Sequence, residues 1–577
     1  MSPHPNLPRR RWMHGGLAVT GAGWLGLTGC ASSPSGEPSA ARAGEVDPHA
    51  ERRMVRLLNR ATLGPRPGDL EALKQLGIDR WIEQQLAPGS IAMPDALTRE
   101  LDSLTTSAMT PGELLAEYQT AISRLQQAGA PAVPAPADLA ASAPAAPAAA
   151  GAPAAVPAAS APTPTPGAAP RRAVIREAAS DAVRARLLRA LDSPRQLEEV
   201  MVDFWFNHFN VFIGKGIDRV LVGHYEQHAI RPHVFGRFRD LLHATARHPA
   251  MLFYLDNAQS VAPGFQPPGG NGPRGLNENY ARELMELHTL GADAGYTQRD
   301  VTELARMFTG WTFDRRGPGQ DVFRFVARRH DDGVKQWLGH RVEPAGVGEG
   351  RWALDVLAAH PATARRIAFK LAQAFVADDP PTGLVERLTG AYHASHGEIR
   401  TLLRVLLTSP ELLDESPGRG KFKTPYQYVL SCARAAGISL PANVQPLAGT
   451  MTQLGMPLYG CQTPDGYRNT EDAWLAPEAM NRRLTFAAAL AAGRLRLDAP
   501  PGALPAAASG SVASGSEASG SAADASRRAS ANAPVPPVNV WPVIGPMLGE
   551  RSRDVIARSA PGMQTALLMG SPEFMRR

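Results

Sequence analysis

The chain has 577 residues, 44% of them hydrophobic and 20% charged, with a formal net charge of +6. That length and balance suit a globular protein with a large buried core and argue against a disordered or fibrous one. The basic residues are almost all Arg, scattered among acids and without aromatic interleaving, so no nucleic-acid partner is expected.

Residues 1–29 form an export signal on this reading. Arg9 and Arg10 stand ahead of Arg11, Trp12 and Met13, which resembles a twin-arginine signal. The mildly apolar stretch from Gly15 to Gly29 is too short and weak to span a membrane. It ends in Leu27-Thr28-Gly29-Cys30, which resembles a lipobox, so Cys30 is the expected lipidation site. The expected product is an exported lipoprotein of the cell envelope, held on a lipid bilayer by Cys30 and a tether over residues 30–47. Outside the cytoplasm Cys432 and Cys461 could in principle bridge, but two cysteines are no scaffold and nothing in the spacing pairs them.

From residue 48 to 577 the pattern predicts a mainly α, multi-helix globular domain carrying a small β-hairpin. Two low-complexity insertions interrupt it, an Ala/Pro tract at 128–170 and an Ala/Ser/Gly tract at 501–535. "HAERRMVRLLNRATLGP" has apolar residues at helical spacing and stops at Gly64-Pro65. "GDLEALKQLGIDRWIEQQL" predicts two short helices broken near Gly77, and "PATARRIAFKLAQAFVAD" and "EIRTLLRVLLTSPELL" continue the same rhythm.

In "SPRQLEEVMVDFWFNHFNVF" Ser193 is the expected N-cap, with Pro194 in the first turn. Leu197, Met201, Phe204 and His208 share one face, which puts His208 within an apolar stripe. It is either a core histidine bonded to backbone or a nearby acid, or a ligand or general base. Asn207 beside it is a candidate binding residue.

"GLNENYARELMELHTLG" holds three glutamates, an arginine and a histidine. At about 100° per residue, Glu278, Arg282 and Glu286 fall outside the apolar arc at spacings of four, as a solvated ion-pair ladder. Glu283 and His288 fall inside it, where a carboxylate must be paired, hydrogen-bonded, metal-bound or shifted in pKa. An α-helix sets these two about 140° apart, so they cannot readily share one ion. Any divalent metal would draw ligands from other helices, with Glu283 and His208 as the candidates. Asn279 is a further candidate binding residue.

In "YTQRDVTELARMFTGW" Thr297 and Asp300 form a capping box and Gly310 stops the helix. The loop over 263–275 is a mobile cover for a site or a long surface loop. Phe323 and Phe325 alternate with polar neighbours and Asp332-Gly333 is a turn signal, which predicts the β-hairpin. His330, Asp331 and Lys335 lie at its turn, and a lysine is an unusual choice in an Arg-dominated chain. The chain contains no G-x-S-x-G, H-E-x-x-H, Walker or C-x-x-C-H motif.

Several of these stretches together resemble the bacterial domain-of-unknown-function 1800 family. They are "LLNRATLGPRPGDLEALKQLGIDRWIEQQL", "FWFNHFNVF", "HPAMLFYLDNAQS", "LNENYARELMELHTLGADAGYTQRDVTELARMFTGW", "HDDGVKQWLG", "HPATARRIAFKLAQAFVADDPP" and "PDGYRNTEDAWLAPEAMNRRLTFA". The resemblance implies an exported, mainly helical protein, with a sulfatase-like exported protein (domain of unknown function 1501) as its partner. It transfers no catalytic residues. Two functions follow as expectations. The first is a metal-assisted envelope hydrolase, with Glu283, His208 and Lys335 catalytic and His330 and Asp331 binding. The second is a non-catalytic scaffold or maturation partner, in which Glu283 and His208 merely fix helix packing.

Overall fold

The segments with apolar residues at helical spacing are helices in the computed structural model, which describes residues 48–127, 171–267, 275–315, 319, 321–414, 420–498 and 539–577. The expected signal, the tether with Cys30 and both low-complexity insertions lie outside the described residues. The first helix runs Pro48–Ala61. Gly77, at φ +83°, separates Asp69–Leu76 from Ile78–Leu86, a break that its freedom from a Cβ permits. No helix among the described residues is long and apolar enough to cross a membrane.

One core runs through the described part from Pro48 to Arg577. The helices Pro361–Phe375, Thr382–Ala394 and Ile399–Leu407 pack in succession through fully buried Leu371, Leu388 and Leu403. The long helix Arg171–Asp192 packs on Asp218–His224. Its Arg186 is buried with Glu226 at 2.9 Å and Asp203 at 2.5 Å, and Tyr459 donates to Glu226 at 2.9 Å. A buried charge is tolerable only when its partners are this close. The last residues close the domain as an antiparallel bridge: Lys421 N–H donates to the Arg577 carbonyl at 3.0 Å and Lys423 N–H to that of Met575 at 2.9 Å.

The β structure differs from the single expected hairpin. Strand β1 (Trp311–Phe313) pairs antiparallel with β2 (Phe323–Phe325), and β3 (Lys335–Trp337) with β4 (His340–Val342). The Asp332-Gly333 turn closes neither pair. Asp331 is clamped by Arg306 at 2.8 and 3.0 Å, which ties that turn to the Gln298–Met307 helix instead. The turn that does close β3–β4 is Leu338-Gly339, both at positive φ (46° and 79°), as a two-residue hairpin loop requires.

Three local expectations meet different outcomes. The Thr297/Asp300 capping box forms as read. The helix expected to start at Ser193 starts at Gln196, because the Ser193 hydroxyl accepts the Arg195 N–H at 3.1 Å, before the helix begins. The helix from Asn279 is α only to Glu283, and Leu284–His288 is a π-turn. Cys432 and Cys461 are both free and buried.

Candidate functional site

The π-turn changes the geometry on which the sequence reading of Glu283 and His288 rests. A π-turn winds more residues into each turn than an α-helix, so the 140° separation expected for an α-helix does not apply to Glu283 and His288. His288 points into the core, where its Nε2 is buried with no hydrogen-bond partner among the described residues. Burial, then the charges of Lys370 and Arg366, hold its pKa down to about 3. Its carbonyl is used, since His208 Nε2 lies 3.0 Å from it.

That contact fixes the tautomer of His208. A carbonyl can only accept, so Nε2 carries the hydrogen and Nδ1 of the neutral ring carries the lone pair. Lys370 Nζ, from the Pro361–Phe375 helix, lies 3.3 Å from that Nδ1 and donates to it. Trp205 and Phe209 pack edge-on to the His208 ring at 5.5 and 4.6 Å between centroids, which keeps the ring in place. Burial, followed by Lys370, His288 and Arg366, holds His208 well below the ordinary histidine range. Burial and the neighbouring Arg366 draw the Lys370 amine down to about 8, against the opposing pull of Asp465.

Glu283 is half-buried at the end of its helix, and no hydrogen bond or ion pair reaches its carboxylate among the described residues. Burial raises its pKa, helped by Glu286 and Asp465 and opposed by Arg282. The Asp465 charge thus acts on both Glu283 and Lys370. Asp465 is held by its loop. The Asn207 side chain donates to the Tyr467 carbonyl at 2.9 Å and accepts the Tyr467 N–H at 2.7 Å, which staples residues 465–467 to the helix that carries His208. Asn207 is therefore a clamp between two parts of this site.

The other sequence candidates go elsewhere. Lys335 is wholly buried, with Nζ 2.6 Å from Glu349 Oε2, and also donates to the Asp331 carbonyl. His330 Nε2 lies 3.0 Å from Glu349 Oε1, and its Nδ1 faces the Thr309 carbonyl at 2.9 Å. Among the described residues, no hydrogen bond, ion pair or ring contact joins these groups to His208 or Glu283. Asn279 donates its side-chain N–H to the Leu255 carbonyl at 3.5 Å and its backbone N–H to Asn277 Oδ1 at 2.9 Å, as a helix-start residue. Of the expected ladder, Arg282 pairs with Glu278 at 3.2 Å, while Glu286 instead adds its charge to Glu283 and Arg366.

The donor set does not suit a divalent metal. One His208 nitrogen donates to a carbonyl and the other faces an ammonium. Among the described residues no group of three or more His, Cys, Asp or Glu side chains is arranged to hold a metal ion. The arrangement suits proton transfer: an amine near neutrality, oriented by a neutral histidine, with a carboxyl of raised pKa in the same electrostatic neighbourhood. Lys370 and Asp465 escape the sequence reading because they lie 162 and 257 positions from His208, on segments whose local pattern is unexceptional. The signal available was the rarity of lysine, which applies to Lys370 as it does to Lys335.

Among comparisons with known proteins, the family described as "Protein of unknown function (DUF1800)" matches residues 56–576. No curated protein and no solved structure matches the chain.

Proposed function

Because the chain belongs to the DUF1800 family of proteins of unknown function, we propose its chemistry from its own side chains: a hydrolase of the cell envelope that works by proton transfer, with Lys370 as general base and Glu283 as general acid. The observation that carries this reading is the chain of contacts from the His288 carbonyl to His208 and from His208 to the Lys370 amine. Donating one N–H to His208 leaves the amine lone pair of neutral Lys370 directed away from the ring. A water held there loses a proton to the amine as its oxygen attacks the scissile centre, and Glu283 protonates the leaving group. Pairs of groups whose environments move their pKa values toward neutrality from opposite sides are suited to such work. The twin-arginine-like signal and Cys30 support the envelope location of this reading.

The test is turnover of a panel of chromogenic esters, amides and phosphoesters by the full chain, beside Lys370→Met, Glu283→Gln and His208→Asn. Loss of turnover with unchanged circular dichroism is expected, with a kcat/KM profile whose limb near pH 8 moves in His208→Asn. The wholly buried His330–Glu349–Lys335 group favours a second reading, a scaffold partner for a sulfatase-like exported protein, because charges spent on packing do no chemistry. No turnover by the wild type, together with unaltered pull-down of such a partner by Lys370→Met, would move the assignment to that scaffold.

A further inference from the structure

Beside Asn207, one position before His208, lies a small cavity of about 40 Å³ whose lining includes Asp203, Asn207, Gln427, Arg468, Asn469 and Arg577. Arg577 is 7% exposed. Its Nη2 donates to the Ala374 carbonyl at 2.6 Å, while Nε and Nη1 are buried and have no hydrogen-bond partner among the described residues. A buried guanidinium with two unmet donors is an unusual thing to keep in a core, because each desolvated N–H needs an acceptor.

The surroundings do not supply one. Asp203 is the carboxylate among the lining residues, and it is committed to Arg186 at 2.5 Å. Burial lifts its pKa above the ordinary range, despite Arg186 and Arg577. Two more basic side chains stand nearby without full partners among the described residues: Lys423, which is drawn by burial to about 7 and feels the Arg577 and Arg483 charges, and Arg483. Lys423 Nζ has none and lies over the Phe574 ring at 3.9 Å, and Arg483 Nε and Nη1 have none either. The Cys432 thiol beside Lys423 is pushed by burial to about 12, so it adds no compensating charge. The helix Pro425–Ala435 also begins at this cavity, with Thr424 and Gln427 in the lining, but its first donors are spent, because Thr424 and Gln427 close a capping box and Pro425 carries no N–H.

We infer that this cavity is an anion subsite, which takes the phosphate, sulfate or carboxylate group of a small ligand against the unmet donors of Arg577. Arg468 and Asn469 close it from the loop that also carries Asp465. The inference goes beyond the proton-transfer reading and does not depend on it, since binding is measurable without turnover.

The test is calorimetric titration and thermal unfolding of the full chain with sodium phosphate, sodium sulfate and sodium acetate, each against sodium chloride at matched ionic strength. Wild type, Arg577→Met and Arg468→Ala are compared. A saturable rise in Tm with a binding isotherm is expected for at least one oxyanion. Phosphate or sulfate responding alone marks a tetrahedral group, and acetate alone a carboxylate. Arg577→Met is expected to lose the response and, without anion, to melt no lower than wild type, because an unpaired buried charge has gone. Arg468→Ala is expected to weaken binding several-fold. No saturable effect beyond chloride, or an undiminished effect in Arg577→Met, overturns the inference. If Arg577→Met does not fold, undiminished affinity in the surface variant Arg468→Ala overturns it.

Discussion

Lys370 Nζ lies 3.3 Å from the lone-pair nitrogen of His208 and is drawn down to about pH 8, while its own Pro361–Phe375 helix reads as an ordinary amphipathic one. Such an amine is a stronger nucleophile at neutral pH than a free lysine, because more of it is unprotonated. Limiting acetylation at pH 7.5, mapped by peptide mass spectrometry, is therefore expected to modify Lys370 ahead of Lys74, which is partly exposed and paired with Glu51 at 3.3 Å. The rate at Lys370 should inflect near pH 8. An inflection near the free-lysine value of about 10.4 would remove Lys370 as a base.

The same shift predicts a stability change. An unfolded lysine keeps its proton to about pH 10.4 and folded Lys370 releases it near 8, so the unfolded state holds more protons between those limits. Stability therefore rises with pH through that window, by at most about 3 kcal/mol from this group. Lys423, drawn to about 7 by burial, adds in the same direction. Urea denaturation from pH 7 to 10 should show the rise, and Lys370→Met should reduce its slope.

Lys335 and Glu349 are mutually dependent. Burial pushes the Glu349 carboxyl up, but hydrogen bonds from His330, Lys335 and the Ala345 N–H outweigh it and hold the pKa below the ordinary value. Lys335→Met alone leaves a carboxylate in the core and is expected to lose about 3–5 kcal/mol. Lys335→Met with Glu349→Gln should lose less than the sum of the two single variants, as read by a double-mutant cycle in urea. Additive losses would mean that the two charges act independently.

Local chemistry was legible in the sequence, and long-range chemistry was not. The Thr297/Asp300 box and the Gly77 break depend on residues a few positions apart, and both formed as read. The Glu278–Arg282 pair formed too, because spacing alone determines it. The π-turn over Leu284–His288 was not legible, because it is not encoded by any periodicity in the apolar residues. The Asp332-Gly333 turn has the right residues for a hairpin, but the Arg306 side chain, 25 positions away from Asp331, holds it elsewhere. Lys370 and His208 meet only through the packing of two helices.

Acid should destabilise the fold through its buried histidines. His288 titrates at about 3 in the folded state and His208 and His248 are held well below the ordinary range, in each case first by burial. The unfolded state binds those protons from about pH 6.5 downward, so stability falls as pH drops below that value, by about 1.4 kcal/mol per pH unit for each such site. Thermal unfolding between pH 7 and 4 should show a falling Tm, with a shallower slope in His288→Gln. An identical slope in that variant would assign the acid sensitivity to other groups.

Gly466 tests whether the loop that bears Asp465 belongs to the site. It adopts φ +75°, and a Cβ added there would stand 2.2 Å from the Asn207 carbonyl oxygen and 2.7 Å from Asn207 Oδ1. Neither the backbone atom nor the clamped side chain can give way without breaking the two Asn207–Tyr467 hydrogen bonds. Left-handed strain of about 1–2 kcal/mol and an overpacked contact of about 1–3 kcal/mol together predict that Gly466→Ala loses roughly 3 kcal/mol. Displacing the loop also moves Asp465, whose charge raises both the Lys370 and the Glu283 pKa. The acetylation inflection at Lys370 is therefore expected to fall below 8 in Gly466→Ala. A destabilised variant with an unmoved inflection would make the loop a packing element and leave Lys370 tuned by burial and Arg366 alone.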